Sequence, residues 1–478
     1  MLLAINTKNK GIYCIWITLW LLVLTLTGYG YINYIGNKLV YIFFSLVFHV
    51  FLYTGFSTRS TFFDAFISIF LWLGFWLKLT IKISLYARSF PEPIGLFNGS
   101  PTSFDNGLLV AITGISGLLA SRLIRANFFV YKKEPNNINP ILIDLYTKKK
   151  PLIILLFTAT ILFISYTNAA YSIYQKGTIT QADTPIILQG IYKWLLLFGL
   201  SSFSATLLNI ELRSKNNIST LAIFISLLET CLTNISLLSR GMILNSSSLL
   251  YGIMVSYNIE RKNQNIQLII RSALFFIVLF TTSLQAVNII RQNQFNDNKT
   301  NINSMISSTN YVTQQMFTDR WIGIEGVLAV SSHPDLGWKL WSKAINEKYN
   351  ENNISFYDKN IIKDSPYLKT DTSKHHFVTL PGIVAFLYYP GSLSFLFIAM
   401  FFIGTIAYIF EYITYTLTSK NLIITSLISQ VIAYRLSNFG YAPSQTYMIF
   451  GAILLNITII YALQKKSQDL QAKKRQTI

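Results

Sequence analysis

The chain has 478 residues, of which 52% are hydrophobic and 15% aromatic while only 12% carry a charge; its mean hydropathy is +0.43. Soluble domains carry about 25% charged residues, so the composition excludes a string of soluble domains and specifies a polytopic membrane protein. The formal charge of +19 does not describe a nucleic-acid binder, because the basic residues sit in short stretches between apolar runs and form no basic stripe with interleaved aromatics.

A spanning helix needs about 20 apolar residues. Twelve segments qualify, near 11–29, 38–56, 63–84, 105–124, 151–169, 188–209, 219–238, 241–258, 266–286, 391–415, 421–438 and 445–463. Lys8 and Lys10 precede the first run, with no small-x-small cleavage site before Tyr31, so that run reads as a retained span. Several runs carry Gly, Ser and Thr in mid-helix, as in "GLLVAITGISGLLAS" from Gly107, which suits close packing in lipid. The runs at 219–238 and 241–258 are joined so tightly that they are expected to be antiparallel neighbours. Cys14 and Cys231 both fall in apolar runs, which argues against a structural disulfide and offers no metal-ligand spacing.

Orientation follows from lysine and arginine placement. With the N-terminus inside, the inner connections hold Arg59, Arg122, Arg125, Lys132, Lys133, Lys148, Lys149, Lys150, Arg213, Lys215, Arg261, Lys262 and Lys420, and the tail adds Lys465, Lys466, Lys473, Lys474 and Arg475. The short outer connections carry only Lys38, Arg88, Lys176 and Arg240, with Arg435 at the edge. Twelve spans then place both termini on the inner side. The expected layout is nine spans within 1–286, a large outer loop over 287–390, three spans within 391–463 and a basic inner tail over 464–478. The loop is the one long polar segment, and two stretches of it, from Ser308 and from Trp338, read as helices. "PGIVAFLYYP", from Pro381 to Pro390, is too short to span and is expected to lie as a helix in the outer interface.

Candidate chemistry concentrates near that loop. Arg240, in "LSRGMI", and Arg435, in "YRLSNFGYAPS" beside Asn438 and Tyr441, can clamp a phosphate through planar guanidiniums. "TDRWIGIEGV" supplies Asp319, Arg320, Trp321 and Glu325. Arg320 and a nearby carboxylate can form a simple surface pair; alternatively the apolar setting raises the carboxylate towards use as a base. Trp321, Trp338 and nearby tyrosines can stack on sugar rings, although single aromatics more often pack. His333 and the pair His375–His376 stand outside, where any of them can take a proton. His49 lies in the second run and is expected to bond a neighbour. Glu229, buried in mid-span, is expected to bind substrate or to pair with another helix through Lys78 or Lys193. Arg88 and Arg291 complete the outer cations that can meet an anion. There is no Walker loop, HExxH, GxSxG with partners or Cys/His metal cluster. The first outer connection, "GYGYINYIGN", lacks the acidic residue usual in polyprenyl-phosphate-dependent glycosyltransferases of the common membrane type.

Taken together, the spans, the large outer loop between the ninth and tenth, and the outer arginines resemble the Wzy-type O-antigen polymerases, a superfamily shared with the O-antigen ligases. "LSRGMI" is similar to the serine-arginine-glycine element of such polymerases. "DRWIGIEGVLAVSSHPDLGW", "LPGIVAFLYYPGSLSFLF" and "EPIGLFNGSPTSFDNGLLVA" are similar to segments of one polymerase branch. The resemblance implies an all-α, GT-C-like architecture of about 12 helices with one large helical periplasmic loop, in a bacterial inner membrane with both termini cytoplasmic. It implies transfer of a growing glycan from undecaprenyl diphosphate to the next lipid-linked repeat, with membrane lipids and a chain-length co-polymerase as partners and no nucleic acid. Diphosphate is already a good leaving group, so no cofactor or metal is required. In this reading Arg240, Arg320, Glu325 and His376 are catalytic, while Arg435, Arg88, Arg291, Glu229, Trp321 and Tyr441 bind substrate. The ligase, joining glycan to lipid A core, and a lipid-linked oligosaccharide flippase are the alternatives; short loops and paired six-span halves, expected of the flippase, are absent.

Overall fold

The computed structural model describes residues 10–90, 92–129, 131, 140–177, 184–215, 218–239, 241, 244–259, 266–295, 318–350, 354–363, 365 and 376–476. All regular structure among these residues is helical. Helices α1 (Lys10–Asn33), α2 (Lys38–Gly55), α3 (Phe62–Leu85), α4 (Pro101–Arg125), α5 (Pro140–Tyr171), α6 (Ile186–Ser214), α7 (Thr220–Ser236), α8 (Leu244–Ile259) and α9 (Ile266–Phe295) come first. Two short helices follow, α10 (Ile324–Ser331) and α11 (Trp338–Ile345), and the short α12 (Ile383–Leu387) leads into α13 (Leu393–Leu417), α14 (Leu422–Ser437) and α15 (Thr446–Gln476). Each of the twelve apolar segments thus contains a helix, and among the described residues eight helices are long and apolar enough to cross a membrane. The protein is an all-helical membrane protein. α15 continues through most of the basic tail.

α14 is the centre of the bundle. Its sequence, LIITSLISQVIAYRLS, is buried around nearly its whole circumference, with small hydroxyl side chains such as Thr425 and Ser426 hydrogen-bonded among the apolar ones. It packs against α8, α3, α13 and α6. Small residues set the approach: Gly252 of α8 sits against Ile423 and Ser426, and the Ser426 hydroxyl donates to the Ser248 carbonyl at 2.7 Å. The tight link between α7 and α8 does not make them principal partners. They touch, but α7 packs chiefly on α9, α5 and α6, and α8 on α14, because the polar and glycine face of α8 is complementary to α14.

At the end of the bundle where α3 begins, buried polar groups tie the helices together. Thr61 and Asp64 form a capping box for α3. Glu411 of α13 adds a second cap, accepting from the amides of Phe62 and Phe63 at 2.8 Å each and from the Tyr131 hydroxyl. Arg122 and Arg125 of α4 both pair with Asp64. A carboxylate at a helix N-terminus and two guanidiniums on one carboxylate satisfy every charge in place.

Between α9 and α13, two of the described short helices lie inside the bundle, whereas α11 lies at its surface. α10 is buried, with Ile324, Val327, Leu328, Ala329 and Val330 wholly inaccessible, and α12 is buried from Ile383 to Leu387. Gly107 of α4 receives Leu328, and Gly114 receives Val384. At 1.5 Å per residue Gly114 lies roughly 20 Å along α4 from its first residue. The stretch 381–390 therefore re-enters the bundle instead of lying in the interface, because glycines on α4 open a slot that its uninterrupted apolar sequence fills. Irregular backbone at this depth is tolerated because protein surrounds it.

Candidate functional site

Two adjoining cavities form at the end of the bundle where α6, α10 and α15 begin and α9 and α14 finish. The larger, about 450 Å³, is lined by Lys176, Arg291, His376, Gln430, Tyr434, Arg435 and Tyr441 among others, with no carboxylate among its described lining residues. The smaller, about 180 Å³, is lined by Lys78, Glu92, Asp319, Arg320, Glu325 and Tyr357 among others. Val378 and Leu380 line both. Arg320 stands between them, hydrogen-bonded to Tyr434.

Each cation reaches the larger cavity by a local device. Arg435 is in the last turn of α14, whose C-terminus is closed by Asn438: its backbone amide and its side-chain amide both donate to the Tyr434 carbonyl, at 3.1 and 2.8 Å. That satisfies carbonyls a helix end leaves orphaned. Lys176 sits on the turn after α5, held by Asn168. The Asn168 side-chain amide donates to the carbonyls of Tyr174 and Ser236, and its oxygen accepts from the Tyr174 amide. The Lys176 amide donates to the Leu237 carbonyl at 3.0 Å. Arg291, near the end of α9, donates to the Leu238 carbonyl at 3.2 Å. Gly241 lets Arg320 and Tyr434 close in, because a Cβ there would stand 2.5 Å from the Tyr434 hydroxyl and 3.0 Å from the Arg320 guanidinium.

Lys176, Arg320 and Arg435 thus stand close to Tyr434, and Arg291 lines the same cavity. Burial, reinforced by the Arg320, Arg435 and Arg291 guanidiniums, pushes the Lys176 ammonium below the ordinary lysine range. Among the described residues no carboxylate pairs with Lys176, Arg320 or Arg435, and the Arg435 Nε is buried without a partner. Such a cavity is complementary to a multiply charged anion.

The smaller cavity holds the acid. Lys78 of α3, 1% exposed, pairs with Glu325 and donates to the carbonyls of Asp319 and Trp321 at 2.9 and 3.1 Å. Lys82, one turn on, pairs with Asp319 at 2.6 Å. These two lysines pin the turn before α10 to α3, where Gly74 and Gly323 allow backbone to meet backbone. The second Glu325 oxygen, Oε1, is buried without a hydrogen-bond partner. Burial pushes the Glu325 carboxyl up to about 7, against the pull of Lys78. Burial raises Glu92 as well.

The sequence expectations separate cleanly against this geometry. Arg291, His376, Arg435 and Tyr441 line one cavity, Glu325 the other, and Arg320 joins them. The expected pairing of Arg320 with a neighbouring carboxylate is corrected: Lys78 and Lys82 take Glu325 and Asp319, which leaves the guanidinium for the cavity. Arg240 and His375 lie outside the described residues; Gly241, beside Arg240, is in the cavity wall. The His376 ring contacts those of Tyr349 and Tyr441 at centroid distances of 5.7 and 5.3 Å. Arg88 is exposed and donates to the Asn33 carbonyl, away from both cavities. Trp321 stacks on Phe70 and serves packing. His333 is buried, bonded to the Asn360 carbonyl and the Asp335 amide, not a free outer base. His49 accepts from Trp72 Nε1, as expected of a packed histidine.

Glu229 does not pair with Lys78 or Lys193. It accepts from the hydroxyls of Ser201 and Thr233 at 3.0 and 3.2 Å, and Lys193 lies over the Tyr174 ring. Ser201 in turn accepts from Asn245, which lines the larger cavity. Glu229 is therefore behind the cavity wall and not in it. Sequence reasoning missed Lys176, Tyr434, Gln430 and the anchoring part of Lys78. Lys176 was one of few cations among the outer connections, and Tyr434 adjoins Arg435; neither signal is specific until the fold brings them together. Comparison with protein-family models, with curated proteins and with solved structures finds no match to this chain.

Proposed function

We propose that the protein is a glycosyltransferase that uses a lipid-diphosphate-linked saccharide, and that it polymerises undecaprenyl-diphosphate-linked repeat units. The observation that carries this reading is that Lys176, Arg291 and Arg435 line one cavity with no carboxylate among its described lining residues, while Arg320 stands at its border in the adjoining cavity that holds Glu325. In this reading twelve helices span a bacterial inner membrane, both termini are cytoplasmic, and the cavities face the periplasm.

The residues account for the step. A hydroxyl at the non-reducing end of the incoming repeat attacks the anomeric carbon of the donor sugar. The bond from that carbon to the diphosphate oxygen breaks, and undecaprenyl diphosphate leaves with the electron pair. The cations neutralise charge that develops on the leaving diphosphate. The acceptor's proton passes to Glu325, whose unpaired Oε1 and raised pKa suit a general base. Arg240, outside the described residues, keeps the role the sequence resemblance gives it, and a co-polymerase that sets chain length is the expected partner.

His376 favours a second reading. O-antigen ligases lean on a loop histidine, His376 lies in the loop and lines the cavity, and a ligase would transfer the glycan to lipid A core. The test is incubation of purified protein in detergent with undecaprenyl-diphosphate-linked repeats, without nucleotide. A ladder of products resolved by size establishes the polymerase. Transfer only onto added lipid A core establishes the ligase, and neither product overturns both in favour of a flippase.

A further inference from the structure

The larger cavity is lined by two residues whose carboxamide oxygens a diphosphate, itself an acceptor, cannot satisfy. Gln430 of α14 lines it and is 2% exposed, yet its Oε1 is buried and accepts no hydrogen bond from the protein. Gln430 lies one helical turn before Tyr434, so both side chains occupy the same face of α14. Gln175, beside Lys176, presents a second buried carboxamide oxygen without a partner. A buried carbonyl oxygen left unbonded costs about 1–3 kcal/mol. Phosphate oxygens at neutral pH are acceptors, so they satisfy the cations and repel these two oxygens. An isoprenoid chain offers no donor. A saccharide does, through its hydroxyls and any acetamido N–H.

We infer that the cavity is bipartite: the Gln430 and Gln175 carboxamide oxygens form a subsite for the sugar attached to the diphosphate, accepting hydrogen bonds from its hydroxyl or amide N–H groups. The inference rests on the lipid-diphosphate reading and adds which part of the head group is recognised, and by what. The aromatic walls fit the same occupant, since Tyr174, Tyr349, Tyr434, Tyr441, Phe198 and Phe377 line the cavity and sugar rings present apolar C–H faces to aromatic rings. The buried position of Gln430 on the central helix makes it a fixed reader of the sugar, not an adaptable surface contact.

The test measures binding of two probes to the purified full-length protein by ligand-induced thermal stabilisation: undecaprenyl diphosphate alone, and undecaprenyl diphosphate bearing one N-acetylhexosamine. The wild type is expected to bind the sugar-bearing lipid more tightly. Gln430→Met, close in volume and without hydrogen-bonding oxygen, is expected to bind undecaprenyl diphosphate as the wild type does. Its affinity for the sugar-bearing lipid should fall by about tenfold, the value of one hydrogen bond. A variant that keeps the full preference, or a wild type with none, overturns the subsite while leaving diphosphate binding intact. Binding of neither probe by the wild type overturns the lipid-diphosphate reading itself, and a Gln430→Met protein that binds neither shows that Gln430 serves packing.

Discussion

Arg320 and Arg435 differ from the other buried cations in what surrounds them. Arg122 and Arg125 are matched by Asp64, and Lys78 by Glu325, whereas the cavity guanidiniums have no described carboxylate partner. Replacing Arg320 or Arg435 by alanine is expected to lower polymerisation by roughly 10- to 100-fold, the value of a charge-assisted hydrogen bond to a phosphate. Lysine at either position should restore part of the rate, because the charge returns without the planar fork. The measurement is product chain length at equal protein abundance; normal ladders from both alanine variants would sink the assignment. Glu325 gives a pH signature. Its carboxyl titrates at about 7 because burial raises it, so the basic form accumulates above that pH and is lost below it. The rate should therefore fall as pH drops from 8 to 6. Glu325→Gln should cost about 10²–10⁴ in rate and flatten the profile. Lys78→Met removes the ammonium that opposes burial, so the limb should move to higher pH, and an unmoved limb would deny Glu325 its part.

Glycines decide how the elements meet, and two of them separate function from folding. Gly241 faces the Tyr434 hydroxyl and the flexible end of Arg320. Gly241→Ala is expected to leave abundance in the membrane near normal and to weaken undecaprenyl diphosphate binding, read by thermal stabilisation. Gly326 faces the backbone of Pro381, which has no room to yield. Gly326→Ala should prevent α10 from seating against the re-entrant turn, destabilising the protein by about 1–3 kcal/mol and lowering its melting temperature and yield. Equal behaviour of the two variants would contradict this division. Gly241 belongs to the serine-arginine-glycine element legible in sequence, but what either glycine faces is not legible, because its neighbour is distant along the chain. Gly107 and Gly114 belong to a legible pattern of small residues on α4, yet the pattern does not say that α10 and α12 fill the slot instead of another spanning helix.

At the scale of the whole molecule, the cavities lie at one end of the bundle and the lysine-rich helix starts at the other. Lys148, 72% exposed, pairs with Asp144 near the start of α5, while Lys339 is exposed on α11. The proposed topology puts them on opposite sides of the membrane. In a background lacking Cys14 and Cys231, a membrane-impermeant maleimide added to spheroplasts should label Lys339→Cys at once and Lys148→Cys only after permeabilisation. Labelling of both from one side would break the topology; the reverse order would turn the site to the cytoplasm.

The sequence by itself determined the class of the protein and the position of its helices. Both follow from local chemistry: an apolar run of spanning length must satisfy its backbone internally, so it is helical wherever it occurs. It also placed Arg320, Arg435 and Glu325 among the residues to watch, because charge at the edge of lipid is costly to keep. Only the tertiary structure decided that Lys176 joins Arg320 and Arg435 around Tyr434 with Arg291 lining the same cavity, that Lys78 and not Arg320 holds Glu325, and that 381–390 dives into the bundle. Those outcomes depend on which small residues allow close approach between segments far apart in the chain. Hydropathy and helical periodicity, properties of single segments, carry no information about that choice.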